Sequence, residues 1–178
     1  GVSVDSADVA ELRVGARAGA DYLLSLTEET LALAEETAAV PVLIPALPGD
    51  QESLVRAVEA MMRQGRPFLA DPILDPIHFG FTRSLLRYQD LRLRFPDIDM
   101  LMGTGNLTEL TDADTTGINA VLMGIVSELA IRNVLVFDYG ARPRGLEYRL
   151  GGLTFRTPHG GLFTAAVPLT WEKDIRGR

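Results

Sequence analysis

The sequence predicts an α/β protein built on a parallel sheet, and three observations support this fold class. Short apolar runs rich in Val, Ile and Leu alternate with longer amphipathic stretches, which is typical of strands buried on both faces. Polar residues follow nearly every predicted strand. No Gly-x-Gly-x-x-Gly turn or lysine-containing phosphate loop follows the first one. These features favour a parallel TIM-type (β/α) barrel, with about six of its eight strands present, over an open doubly wound sheet.

The predicted strands are the short apolar runs themselves. Each is only four or five residues long, as expected of buried strands in a parallel sheet. Strands and helices that alternate at this spacing form right-handed βαβ units. The predicted strands are Val2–Asp5, Tyr22–Leu26, Pro41–Pro45, Pro67–Ala70, Asp99–Met102 and Val134–Asp138.

The predicted helices lie between these strands, and their apolar residues are spaced for one buried face. In the first helix, Val9, Leu12 and Ala16 share a face, and Gly19 is expected to end it. Asp50 is expected to cap the third helix, because its carboxylate can accept a hydrogen bond from a free amide of the first turn. The predicted helices are Ala7–Ala18, Glu28–Ala38, Gln51–Gln64, Ser84–Arg94 and Thr115–Leu129.

The pattern changes after residue 140, so we expect residues 1–140 to form the barrel segment and residues 141–178 an extension. Leu146–Leu150 and Leu153–Thr157 flank Gly151-Gly152, which predicts a β-hairpin with a two-residue turn. The rest of the extension is basic and has no clear helical period. It predicts either an extra hairpin that covers the sheet edge or an irregular tail.

The composition excludes several classes of function. A net charge of −7 argues against a nucleic-acid-binding protein, which would present a basic surface. No apolar run approaches the roughly 20 residues that cross a bilayer. The chain has no cysteine, and its one lysine is Lys173, which excludes a disulfide framework and a lysine Schiff base in residues 1–172. We expect a cytoplasmic protein.

The stretch that begins at Asp71 holds the first candidate ligand-binding residues. It reads Asp71-Pro-Ile-Leu-Asp75-Pro-Ile-His78-Phe-Gly-Phe and follows a predicted strand. A carboxylate at the end of a buried strand can accept hydrogen bonds from a ring N–H and an amino group, as in a 2-amino-4-oxopteridine. Alternatively, Asp71 or Asp75 caps a turn before proline, where aspartate is common. His78 is more simply explained as a solvated loop residue.

A second candidate site follows the fifth predicted strand, in the run Gly103-Thr104-Gly105-Asn106. Two glycines there allow a ligand to approach the backbone, and the amide of Asn106 can donate or accept without carrying charge. The polar run continues for longer than a strand–helix connection needs, which favours a binding loop. Asp114, later in the run, is expected to cap the next helix. Asp5 and Asp138 end the first and last predicted strands and are either ligand contacts or helix caps.

These stretches resemble the pterin-binding barrels, which comprise dihydropteroate synthases and methyltetrahydrofolate-dependent corrinoid methyltransferases. Val2–Asp5 is similar to the synthases' strand ending in Val-Asp-Thr, and Ala18-Gly-Ala-Asp21 to their Ala-Gly-Ala-Asp. Asp71-Pro resembles their pterin-binding aspartate, and Asn106 falls where the methyltransferases keep an asparagine that faces the pterin N5. The run Gly-Thr-Gly-Asn-Leu-Thr-Glu-Leu-Thr-Asp-Ala-Asp is most similar to the synthase-related proteins of methanogens and methylotrophs. The resemblance covers roughly residues 1–140.

The chain departs from the synthases at three places. Leu24 and Ser25 stand in place of an asparagine, Asn106 and Leu107 in place of a lysine, and Leu135 and Phe137 in place of an Arg-x-His pair. Phosphate-bearing substrates need such cations, so the resemblance supports a pterin pocket better than it supports the synthase reaction. If the protein is an enzyme, the resemblance implies a transferase, either synthase-like or methyltransferase-like. The family barrel also has two strands before its Val-Asp strand, which implies that this chain lacks the N-terminal part of the barrel.

The resemblance implies a reduced pterin of folate or tetrahydromethanopterin type as ligand, in one-carbon metabolism. Asp71 would bind it, assisted by Asp5, Asp75, Asp138 and the glycine loop, with Asn106 near N5 in an alkyl or methyl transfer. A non-catalytic pterin-binding or scaffold subunit is the alternative, and a homodimer or a partner chain would supply the missing strands. A third alternative is a barrel lyase or aldolase with magnesium in the Asp-Pro loop. Two distant histidines and no cysteine argue against a transition-metal site.

Overall fold

The computed structural model describes residues 1–108, 115–138, 147–150, 153–156 and 163–168, with side chains described for 1–108 and 117–136. The strands are β1 (Ser3–Asp5), β2 (Tyr22–Leu26), β3 (Val40–Leu43), β4 (Leu69–Ala70), β5 (Leu101–Gly103), β6 (Asn133–Asp138), β7 (Glu147–Leu150), β8 (Leu153–Arg156) and β9 (Phe163–Pro168). The helices are α1 (Val9–Arg17), α2 (Ala32–Glu35), α3 (Gln51–Gln64), α4 (Phe81–Arg94), α5 (Gly105–Thr108) and α6 (Thr115–Glu128). Within these ranges no helix combines the length and the apolarity needed to cross a membrane.

The first six strands pair in parallel, and their neighbours follow the order of the chain. β1, β2 and β3 each pair with the strand that follows, and β5 pairs with β6. A parallel bridge between Ala70 and Met100 links the two groups, and Ala70 N donates to Asp99 O at 3.0 Å. The predicted α/β fold with parallel strands is therefore confirmed.

One face of the strands is covered by the helices. All six described helices contribute side chains to the main core on this face. In α3, Leu54, Val58 and Met61 are fully buried, whereas Met62 is 51% exposed. The strand residues in this core are Leu23, Leu26, Leu43, Ala70, Met100, Met102 and Val134.

The opposite face of the strands carries a smaller cluster made of strand residues alone, which we call the strand-only cluster. Successive side chains of a strand point to opposite faces, so each of these residues is adjacent in sequence to a residue of the main core. Leu24 is only 5% exposed and Leu101 only 1%, so this face is buried although no described helix packs on it. The members are Leu24, Val42, Leu69 and Leu101, with Tyr22, Val40 and Leu135 packed against them.

The starts of α1 and α3 show which aspartates cap helices. Asp50 caps α3 as predicted, and its carboxylate accepts from Ser53 N at 3.2 Å. Asp8 caps α1 by accepting from Ala10 N at 2.7 Å. Asp5 therefore does not cap this helix, and that alternative is wrong. The other interpretation of Asp5, a ligand contact, stays a prediction.

α2 is much shorter than the predicted helix Glu28–Ala38. The residues before it form a turn, in which Thr27 N donates to Thr30 Oγ1 and Thr30 N donates to Thr27 O. A threonine hydroxyl that bonds to nearby backbone competes with helical hydrogen bonds, so the helix begins only after this turn. The apolar spacing was nevertheless informative, because Leu33 and Ala34 are buried.

The described backbone after residue 138 consists of strands. β7 and β8 pair antiparallel, which confirms the predicted hairpin strands, while the turn Gly151-Gly152 lies outside the described residues. β9 lies antiparallel along β6, beginning with Asn133 opposite Pro168. An irregular tail is therefore wrong for residues 163–168. Small residues and a final proline give this segment no strong strand pattern, which is why the sequence did not reveal it.

Alanine at Gly15 tests the close packing of α1 against β1. A Cβ at Gly15 would lie 2.5 Å from Val4 Cγ2 and 3.0 Å from Val4 Cβ, so the helix would have to move away from the sheet. We expect Gly15→Ala to lower the free energy of unfolding by about 1–3 kcal/mol. Gly124→Ala in α6 is the matched control, because a Cβ there meets no atom within 4 Å and alanine favours a helix by up to about 1 kcal/mol. Urea denaturation measures the free energy of unfolding of both variants. Equal changes in the two variants would contradict the close packing of α1 against β1.

Candidate functional site

A cavity of about 160 Å³ lies at the carboxyl ends of the parallel strands. Its apolar wall is formed mainly by the strand-only cluster. The apolar lining residues are Leu24, Val42 and Leu101 of that cluster, Leu135 packed against it, and Ile44 and Ile73. Its polar side chains are Asp5, Ser25, Asp71 and Asn106, and Gly103 lies beside Asn106. The structure thus brings together predicted site residues from the ends of β1, β4 and β5.

Asp71 directly follows β4 and is 7% exposed. Its backbone N–H donates to Leu43 O on β3 at 2.8 Å, which fixes the residue at the end of the sheet. Its side-chain Oδ1 accepts hydrogen bonds from Ile73 N at 2.8 Å and from the Tyr88 hydroxyl. Oδ2 accepts none from the described residues, and Asp71 is one of the residues that line the cavity.

Burial raises the pKa of Asp71 to about 6, because removal from water disfavours the charged carboxylate. The hydrogen bonds from Tyr88 and Ile73 and the charge of Arg87 lower this pKa and offset part of the burial effect. The pKa of the Tyr88 phenol lies well above its ordinary value, owing to burial and to the Asp71 carboxylate. Above pH 6, therefore, a neutral phenol donates a hydrogen bond to an ionised carboxylate.

Arg87 of α4 holds the loop that follows Asp71. Its guanidinium donates to Pro72 O at 3.2 Å and to Ile73 O at 2.9 Å. Ile73 has a φ of 65°, a costly conformation for a β-branched residue that persists only where its surroundings hold it. Since Ile73 also lines the cavity, the strained residue lies at the candidate site itself.

Asp75 and His78, further along this loop, are not part of the cavity lining. Asp75 was predicted to bind substrate, but its Oδ2 pairs with the Arg87 guanidinium at 2.8 Å. The same oxygen would lie 2.8 Å from a Cβ at Gly80, so Asp75 helps to hold the loop against the start of α4. His78 is exposed and packs edge-on against Phe79 with ring centres 5.7 Å apart, in agreement with its interpretation as a solvated residue.

Asp5 and Ser25 line the cavity from the ends of β1 and β2. Ser25 has a φ of 65° and lies where the register between β2 and β3 shifts. Its hydroxyl donates to Asp5 Oδ1 at 2.6 Å. The irregular backbone at Ser25 therefore places its side chain within hydrogen-bonding distance of Asp5. Asp5 is exposed, which puts this pair at the open side of the cavity.

The run Gly103-Thr104-Gly105-Asn106 is fixed to the middle of β6. Thr104 is 1% exposed, and its N–H and hydroxyl both donate to Leu135 O, at 2.9 and 3.3 Å. Thr104 and the buried Gly105 therefore hold the loop and do not line the cavity. A Cβ at Gly103 would lie 3.4 Å from Asn106 Nδ2, so glycine at this position keeps the space beside the amide free.

The side chains of the two remaining predicted residues lie outside the described part of the structure. One is Asp138, whose backbone ends β6. The other is Asp114, which falls between the described residues of α5 and α6. A ligand contact by Asp138 and a helix cap by Asp114 stay predictions.

Tyr88 and Ile73 belong to the site, although no pattern in the sequence predicted their place there. Tyr88 shares the buried face of α4 with Ser84 and Leu91. A buried tyrosine usually has a hydrogen-bond partner for its hydroxyl. A tyrosine on the apolar face of a helix is therefore a sequence feature that indicates a polar group nearby. The left-handed conformation of Ile73 has no signal in the sequence, since isoleucine rarely adopts it.

The described lining of the cavity is negative or neutral. Asp5 and Asp71 supply carboxylates, and Ser25 and Asn106 supply uncharged polar groups. No lysine or arginine is among the described lining residues. This arrangement favours a ligand rich in hydrogen-bond donors over one that carries phosphate groups.

No family model matches the chain. The chain is similar to an uncharacterized protein of Methanocaldococcus jannaschii, with 29% identity over 146 residues. The match covers 72% of this chain and 28% of that protein, so the chain spans little more than a quarter of the length of this relative. The name of the relative assigns it no activity.

The raised pKa of Asp71 predicts how stability depends on pH. The carboxyl ionises ordinarily at 3.8 and in the folded protein at about 6, so the folded state binds the proton more tightly. The resulting stabilisation, about 3 kcal/mol, is fully present below about pH 4 and is lost as the pH rises through 6. Asp71→Asn keeps Oδ1 as an acceptor and removes the charge. We expect it to raise the free energy of unfolding at about pH 8 by about 1–3 kcal/mol.

Urea denaturation of the wild type and of Asp71→Asn, from about pH 4 to about pH 8, measures this effect. Asp97→Asn is the matched control, because Asp97 is exposed, lies in the connection before β5 and does not line the cavity. Its stability should follow that of the wild type at every pH. If wild type and Asp71→Asn gave parallel profiles, the ionisation of Asp71 would not be the cause.

Proposed function

We propose that this chain is the pterin-binding part of a (β/α) barrel protein related to the dihydropteroate synthases. The observation that carries the proposal is that Asp71 and Asn106 line one cavity at the carboxyl ends of parallel strands. Barrel enzymes bind their substrates at this end. The proposed ligand is a reduced pterin of the folate or tetrahydromethanopterin type.

Two features of the sheet support a barrel. Its parallel strands follow the order of the chain, whereas a doubly wound sheet reverses its strand order at a switch point. The described helices pack on one face of the strands, and the other face buries its own side chains, as the interior of a barrel does. The strand-only cluster would then be part of the barrel interior, directly beneath the ligand.

The size of the cavity suits one ring of a bicyclic pterin better than a whole cofactor. A volume of about 160 Å³ is close to the roughly 150 Å³ of a cavity that takes one benzene ring. It is smaller than the roughly 300–1,000 Å³ of pockets that enclose a drug-sized ligand. The ring would enter the cavity, and the rest of the ligand would extend past Asp5 at the open side.

Asp71 would hold the amino-pyrimidine edge of the ring. Its Oδ2 has two lone pairs, which can accept the ring N3–H and the 2-amino group. Asn106 would lie near N5, where an alkyl or methyl group is transferred if the protein is an enzyme. A pyrophosphate leaving group would need cations, which the described lining lacks, so we do not propose the synthase reaction.

The proposal predicts that pterin binding depends on Asp71. We expect the wild type to bind tetrahydrofolate or tetrahydromethanopterin, and Asp71→Asn to bind it about 10- to 100-fold more weakly at about pH 8, because a charged acceptor is lost. Isothermal titration calorimetry measures the affinities. Asp97→Asn, which makes the same chemical change outside the cavity, should bind as the wild type does.

Two results would count against this ligand. One is that neither reduced pterin binds the wild type at millimolar concentration. The other is that the Asp71→Asn and Asp97→Asn variants bind equally well, which would place the pterin elsewhere. The stability measurements on the same variants show whether each protein is folded.

A non-catalytic pterin-binding or scaffold subunit is the second candidate. It is favoured by the neutral amide of Asn106, which can orient N5 but has no proton to exchange at ordinary pH. It is also favoured by the lack of a cation in the described lining. In this case the cavity would hold the pterin while another chain supplies the reactive groups.

Asn106→Ala distinguishes an enzyme from such a subunit. For an enzyme, we expect the variant to transfer methyl groups from methylated pterin at least about tenfold more slowly, while the pterin affinity changes much less. Thr108→Ala is the matched control in the same short helix, since Thr108 does not line the cavity. Turnover assays and calorimetry provide the two readouts. Pterin binding without turnover in the wild type would favour the non-catalytic subunit.

A further inference from the structure

We propose that Tyr88 is a positioning residue of this site, which acts by fixing the Asp71 carboxylate through a hydrogen bond to Oδ1. Tyr88 does not line the cavity and would not touch a ligand. The proposal concerns the same pterin site and rests on the proposed function for the identity of the ligand. Its geometric part can be tested on the protein alone.

The two hydrogen bonds to Asp71 determine which oxygen faces a ligand. A carboxylate rotates about its last bond between broad, nearly equivalent orientations. Here the Tyr88 hydroxyl and the Ile73 N–H both bind Oδ1, so they select one orientation and leave Oδ2 for the ligand. Tyr88 is fully buried, so its hydroxyl has no bulk water to bond instead.

The neighbouring residue strengthens this arrangement. Arg87 donates to Pro72 O and Ile73 O, which ties the loop to the helix that carries Tyr88. Both donors to Oδ1 therefore keep a constant position relative to α4. Consecutive residues of one helix thus hold the carboxylate and the loop beside it.

The charged and titratable groups around Asp71 come from three segments. Arg87 and Tyr88 lie on α4, Asp75 lies in the loop, and Asp5 lines the same cavity from the end of β1. The Tyr88 hydrogen bond and the Arg87 charge favour the ionised carboxylate, and burial opposes it. Removal of the Tyr88 hydroxyl therefore raises the pH at which Asp71 ionises. A residue that only fills space would leave that pH unchanged.

The test is Tyr88→Phe in the full chain, compared with Tyr22→Phe as the matched control in the strand-only cluster. We expect Tyr88→Phe to strengthen proton binding by Asp71 about tenfold, seen as an upward shift in the pH profile of unfolding. It should weaken the binding of tetrahydrofolate about tenfold near pH 6. The loss should be smaller near about pH 8.5, where Asp71 is ionised in both the wild type and the variant. Tyr22→Phe should change neither profile.

Replacement of all tyrosines by 3-fluorotyrosine is a second test that preserves the packing. A fluorinated phenol is a stronger donor, so the ionisation of Asp71 should move to lower pH. An unchanged ionisation pH in both Tyr88→Phe and the fluorinated protein would overturn the proposal. A shifted ionisation without pterin binding would support the role of Tyr88 and reject the proposed ligand. Asp71-dependent pterin binding with no shift would support the ligand and reject the role of Tyr88.

Discussion

The carboxylate of Asp71 is buried at the end of the sheet, and much of the surrounding structure is needed to hold it there. An ionised group removed from water is costly unless hydrogen bonds compensate it. Tyr88 and the Ile73 N–H provide those bonds. The Ile73 N–H reaches Asp71 from a residue in a left-handed conformation, and Arg87 holds the adjacent carbonyl groups. Together these contacts offset the free-energy cost of burying one carboxylate.

A similar arrangement is found on the other side of the cavity. Ser25 also has a positive φ, and its hydroxyl reaches Asp5. Backbone strain of this kind persists where the surrounding structure compensates it, and it is common at functional sites. Of the four described non-glycine residues with a positive φ, Ser25 and Ile73 line the cavity, whereas His78 and Ala130 do not. Half of these residues therefore lie where the sheet presents its polar groups.

The sequence was most informative about features that repeat locally. Apolar periodicity revealed the parallel strands and α3, and polar residues at strand ends revealed Asp71 and Asn106 as cavity residues. It was least informative where distant residues meet. The contact between Tyr88 and Asp71 joins positions 17 residues apart on different elements, and the pairing of β9 with β6 has no local pattern. The closed barrel and the pterin stay predictions.

The bridge between Ala70 and Met100 joins β1–β4 to β5–β6 through very little backbone pairing. Asp71 follows this joint on one side, and Asn106 comes shortly after β5 on the other. Because little backbone pairing crosses this joint, the separation of Asp71 and Asn106 is set mainly by the core side chains that pack on both sides of it.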